Sequence, residues 1–229
     1  MMNFGLVWLT SKKERFSNPM QPHSAALPVD QLGTLSTLPS SEAPAPARLP
    51  GDLAIWFFIL AEMLVFAVFF LAYAFARARN VALFNESQLT LDLNSGALNT
   101  VLLITGSAFV VQAVHAVKRD NTHAGTRWLA AGLGCGFAFL VVKVLEYSAK
   151  FGAGINMSTN TFYMFYISLT FFHMMHVILG MVILGVLLVK TKQGAYGSHE
   201  HHTLESGAAY WHMVDLLWIV LFPLVYVMR

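Results

Sequence analysis

Long apolar runs alternate with short polar connectors from residue 51 to the end of the chain. The runs cover about 53–76, 97–117, 128–149, 161–189 and 207–228. A helix needs roughly 20 apolar residues to cross ~30 Å of hydrocarbon, so each run is long enough to span. Hydrocarbon cannot satisfy open backbone N–H and C=O groups, and runs this continuous do not suit the alternating strands of a barrel. Each run therefore predicts a helix. The expected fold class is all-α: an integral membrane bundle of five transmembrane helices occupying residues 51–229. Residues 1–50 are a different material, rich in Ser, Pro, Ala, Gln and Thr, and predict a disordered cytoplasmic N-terminal segment. The opening Met1–Leu9 stretch is oily but short and lacks a preceding positive region, so it does not read as a signal peptide; Met20 is an alternative start.

Composition agrees with a life in lipid. Hydrophobic residues make up 56% and charged residues 11%, outside the usual soluble range. The net charge of +2 and the scattered basic residues offer no face for nucleic acid. With the N-terminus inside, the cytoplasmic side receives Lys12, Lys13, Arg15, Arg48, Lys118, Arg119, Arg127, Lys190 and Lys192, and the far side Arg77, Arg79, Lys150 and Arg229. That asymmetry predicts an N-terminus on the cytoplasmic side and a C-terminus on the far side. The single cysteine, Cys135, excludes an internal disulfide, a CxxC site and a CxxCH haem attachment, and reads as a small packing residue.

Against this background the ionisable residues inside the runs stand out: Glu62 in the first, Lys143 and Glu146 in the third, His173 and His176 in the fourth, His212 and Asp215 in the fifth. A charge at mid-membrane costs roughly 2.5–3.5 kcal/mol, so such residues are expected to face the bundle and pair. Lys143/Glu146, His173/His176 and His212/Asp215 are all three apart, which puts both members on one helix face. Counting depth at ~1.5 Å per residue predicts two polar layers. One holds Glu62 with His176, His212 or Asp215; the other holds Lys143 and Glu146 near His173. Such groups admit a metal site, a haem ligand, a proton relay or a structural clamp. The Glu-x-x-His order of bundle metal sites is absent and Glu62 and Glu146 lie at different depths, so the clamp carries most weight, at ~0.6 kcal/mol per contact in lipid.

Other motifs have plainer readings. Ser198–His202 is a histidine-rich connector, Gly132-x3-Gly136 a close helix contact, Pro223 a kink in the last helix, and the phenylalanines from Phe57 to Phe75 a packing and lipid-facing surface.

The order of these signals resembles one family, subunit III of the haem-copper oxidases, in its shorter five-helix form. The stretches that carry the likeness are Phe57–Glu62 with Phe66, Phe69, Phe70 and Tyr73; Leu98–Leu103; Glu146–Tyr147; Thr170–Val177 with its paired histidines; and Glu205 with Tyr210–Trp218. The resemblance implies a subunit without haem or copper, packed against a haem-bearing catalytic membrane subunit of an oxidase or nitric oxide reductase, with no catalytic centre of its own. It further implies a role in stability and in proton uptake by that neighbour, Glu62 foremost, and contact with membrane lipids, including a bound phospholipid. Two N-terminal helices of the long form are missing. Lys143, three before the Glu146–Tyr147 pair, stands where a neutral residue is commoner. This, the Gly51–Asp52 start and the Trp-His-Met-Val-Asp-Leu-Leu-Trp block look more like the NorE-type accessory branch linked to denitrification, ranked ahead of an aerobic cytochrome c or quinol oxidase subunit. An independent membrane metalloprotein is the remote alternative.

Overall fold

The structure, a computed structural model, describes residues 53–194 and 202–228. The expectations for residues 1–50, for Met20 and for the histidines at 199 and 201 lie outside the described residues. The described chain is helical: α1 (Leu53–Arg79), α2 (Val81–Gln88), α3 (Leu93–Lys118), α4 (Thr122–Gly152), α5 (Thr161–Lys192) and α6 (His202–Phe222), followed by a π-helical turn at Pro223–Val227. Five of these, all but α2, are long and apolar enough to cross a membrane, which gives the predicted all-α five-span bundle.

Helices α3, α4, α5 and α6 pack as a ring in which each touches the next, and α1 lies outside it against α6 and α5. This explains why α1 leaves so many large side chains uncovered, Phe57 at 71% and Leu64 at 68% exposure among them. A span that touches only two other spans among the described residues keeps most of its circumference for lipid or for another chain.

Three helices begin at polar caps that the apolar runs do not reveal. Asp92, Asn121 and Asn160 each accept a hydrogen bond from a backbone N–H of the following first turn, at Asn94, Ala124 and Tyr163. These bonds satisfy donors that a helix start otherwise leaves open. Consequently α4 starts at Thr122 rather than near 128, and α3 at Leu93 rather than near 97. The Asp92 carboxylate also accepts from the Ser95 hydroxyl, and this bond more than any other cause holds its pKa below the ordinary aspartate value. A carboxylate lowered in the folded state contributes stability that is present above the ordinary pKa of ~4 and lost as pH falls through the lower, folded value. The melting temperature of Asp92→Ala is thus expected to lie below that of the parent at pH 6, with the gap closing as the buffer is taken below pH ~4. A gap unchanged by pH would show that the carboxylate charge plays no part.

Connector α2 was not predicted. Its eight residues carry only a weak apolar pattern, yet Phe84 is fully buried and meets the rings of Tyr73 and Phe162 edge-on, at 5.4 and 5.5 Å. Pro223, expected to kink the last helix, is the first residue of the π turn. The Gln88 side-chain amide on α2 donates to the Val225 carbonyl of that turn at 2.7 Å, satisfying one backbone group left over by the irregular register.

Glycines decide how closely the ring closes. A Cβ on Gly132 would stand 3.2 Å from Val110 and 3.4 Å from the Gly106 carbonyl, so α3 and α4 approach backbone to backbone at that level. Gly136, its partner in the Gly-x3-Gly pair, has a different task. A Cβ there would lie 2.9 Å from Trp211, whose indole also passes 3.1 Å from the same point on Gly180. The two glycines form a slot for one aromatic ring, which α6 inserts between α4 and α5.

Buried polar clusters as the candidate functional site

The largest polar cluster lies in the half of the bundle capped by α2. Lys143 of α4 is fully buried, and its ammonium group donates to Glu146 Oε2 at 3.1 Å and to the Tyr226 hydroxyl at 2.8 Å. Tyr166 of α5 and Tyr226 of the π turn both donate to Glu146 Oε1 at 2.7 Å. Glu146 thus accepts three bonds. The ammonium also sits 5.3–5.4 Å from the ring centres of Tyr147, Tyr166, Trp218 and Tyr226, within cation–π range. One buried charge pair, satisfied by two phenols and walled by four aromatic rings, ties α4, α5 and the end of the chain together. Tyr147 extends it through the Thr170 hydroxyl at 2.6 Å, and Thr170 donates on to the Tyr166 carbonyl.

Glu62 of α1 pairs with His176 of α5, Oε2 to Nε2, at 2.9 Å. The other ring nitrogen, Nδ1, bonds the Phe172 carbonyl at 2.7 Å, and both side chains are only partly buried. Of the three partners considered for Glu62, His176 takes the place. His212 bonds elsewhere, through Nδ1 to the Ser107 hydroxyl of α3 at 2.5 Å. Asp215, one turn on, is buried, and among the described residues its Oδ1 has no hydrogen-bond partner.

His173 does not join the lysine cluster by a hydrogen bond. It is fully buried with neither nitrogen bonded among the described residues, and packs against Trp218 at 5.1 Å and Phe139 at 5.7 Å. The three-residue spacing put His173 and His176 on one side of α5, but their neighbours differ because α1 reaches only His176. Trp218 meets both His173 and the Lys143 ammonium, and its indole N–H donates to Thr100 at 2.9 Å. Sequence reasoning missed Tyr166, Tyr226, Ser107 and Thr170. The available signal was a hydroxyl inside an apolar span, where lipid supplies no partner.

At one end of the bundle Lys118 of α3 and Glu205 of α6 form an ion pair at 2.5 Å. At the other, Lys150 donates to the Thr90 carbonyl and Arg77 to that of Met228, so charged side chains also pin connectors where the spans end. Among the described residues no group of three His, Cys, Asp or Glu side chains converges as a metal site would require.

These features define a multi-pass helical membrane protein whose interior is held by paired polar side chains reaching between neighbouring spans. The family of cytochrome c oxidase subunit III matches residues 51–229, and the chain belongs to it. It is similar to cytochrome c oxidase subunit 3 of Synechocystis sp., 34% identical over 75% of this chain and 72% of the relative. Similarity to the same subunit of Thermostichus vulcanus is 31%, over 77% and 86%. A heme-copper oxidase subunit I+III of Aeropyrum pernix is 33% identical over 76% of this chain but only 22% of its own, much longer, length.

Proposed function

We propose that this chain is a non-redox accessory subunit of a respiratory haem-copper oxidoreductase. It holds no haem or copper itself, sits against a haem-bearing catalytic subunit, and supports that subunit's stability and proton uptake. The observation that carries the reading is the family match, which takes in all five spans and the polar pairs between them. The Aeropyrum pernix relative supports the choice of partner, because its name joins subunits I and III in one protein. In this reading the N-terminus faces the cytoplasm of a bacterial inner membrane and phospholipid fills the apolar surface around α1. An aerobic oxidase is the favoured partner, since the relatives bear oxidase names. One observation favours the NorE-type reading in nitric oxide reduction instead: Lys143 lies at the centre of the buried cluster, where the resemblance leads to a neutral residue.

The test is to purify the tagged full-length chain in mild detergent and identify the haem protein that accompanies it. Oxygen and nitric oxide reduction are then compared in membranes with and without the gene. Loss of oxygen reduction identifies an oxidase, and loss of nitric oxide reduction the other branch. No co-purifying haem protein and no change in either rate would defeat the reading. Within the complex, Glu62→Gln replaces the carboxyl group of the pair with His176 by an amide of the same size. Proton uptake during turnover is expected to fall severalfold with the amount of assembled complex unchanged, and equal uptake would confine Glu62 to a packing role.

A further inference from the structure

Polar groups at mid-membrane are costly unless paired, so an open one on the surface of a bundle marks a place where something else completes it. Among the described residues, two histidines at such depth are only partly covered. His176 has both nitrogens engaged, one by the Phe172 carbonyl and one by Glu62. His212 does not. Its Nδ1 bonds Ser107, and among the described residues its Nε2 has no hydrogen-bond partner, although the ring is only partly covered. It lies ten residues into α6, about 15 Å from the helix start at ~1.5 Å per residue, which is the middle of a ~30 Å core.

On both helices, exposed apolar residues stand at helical spacing from the His212–Ser107 pair. Leu216, Ile219 and Val220 follow it on α6 at helical spacing, with exposures of 52, 43 and 44%, and Ile104 and Val111 flank Ser107 on α3. The Lys118–Glu205 ion pair closes the same seam at one end, so the two helices are fixed to each other as a single face.

We propose that the α3–α6 face is the docking surface for a transmembrane helix of the haem-bearing partner, with His212 Nε2 hydrogen-bonded to a polar side chain of that helix. This rests on the accessory reading above. A single open imidazole nitrogen in an apolar field suits a helix that is apolar along its length and polar at one point; a lipid tail would leave the nitrogen unpaired.

The experiment places a photo-crosslinking amino acid at Leu216 or Ile104 in the full-length chain in native membranes, with Val144 on α4 and Val182 on α5 as exposed controls. Leu216 and Ile104 are expected to give an adduct with the haem-bearing subunit and the controls none. An adduct with that subunit from the control sites only, a dimer of this chain, or adducts with lipid alone would each overturn the face assignment while leaving the accessory reading intact if the haem subunit still co-purifies. If no haem subunit co-purifies with the parent, it is the accessory reading that has failed. A pair of substitutions isolates the nitrogen. His212→Gln places an amide where Nε2 stood and is expected to retain the partner within about twofold, whereas His212→Asn serves Ser107 only and is expected to retain it roughly three- to tenfold less, the range of a single interhelical hydrogen bond in lipid. Retention by His212→Asn equal to the parent would remove His212 from the interface.

Discussion

Lys143→Met is expected to be the most damaging single substitution in the bundle, lowering stability by about 3–5 kcal/mol, because it leaves the Glu146 carboxylate buried without its counter-charge. Tyr166 and Tyr226 still donate to Oε1, but two neutral phenols do not replace a full positive charge next to Oε2. The diagnostic result is the double variant Lys143→Met/Glu146→Gln. Removing both charges leaves a neutral amide among the same phenols and aromatic rings and is expected to restore most of the loss. Buried pairs often prove replaceable together when neither member is replaceable alone. Thermal unfolding in detergent, followed by tryptophan fluorescence, measures both, since Trp218 packs directly on the cluster. If the single variant melted within a degree or two of the parent, the charge pair would not be what secures the π turn to α4.

Trp211→Ala is the second large effect, at about 3–5 kcal/mol. The indole is 1% exposed and lies between glycines on α4 and α5, so truncation opens a void where the ring's helices meet. Its N–H has no partner among the described residues, so the loss is one of packing rather than of a hydrogen bond. Gly136 supplies the check. Gly136→Ala alone should destabilise by about 1–3 kcal/mol because the new methyl meets the ring at 2.9 Å, whereas in the Trp211→Ala background it meets only the flexible Met181 side chain, at 3.1–3.2 Å, and should cost far less. Additive losses would mean that the two residues do not share a slot.

Legibility from sequence followed the length scale of the physics. Hydropathy acts over some twenty residues, so five spans could be seen while α2, with eight, could not. Helix starts were misplaced by up to six residues because Asp92 and Asn121 act through single side-chain bonds that interrupt no apolar pattern. Among the polar residues, spacing located Lys143/Glu146 as a pair because both lie on one helix, where geometry is local. Glu62 had three candidate partners because nothing in a linear order tells which helix lies beside which.

By itself, then, the sequence determined that the chain is a bundle of membrane spans and that Glu62, Lys143, Glu146, His173, His176, His212 and Asp215 must be accommodated inside apolar surroundings, since both follow from the cost of placing polar groups in hydrocarbon. Only the tertiary structure decided who meets whom: His176 reaches Glu62, His212 reaches Ser107, His173 is left among aromatic rings, and Tyr166 and Tyr226 close around Lys143 and Glu146. Those choices depend on helix neighbours and rotations, which are set by where glycines at 132, 136 and 180 let backbones and one indole approach, a property of all the helices packed at once.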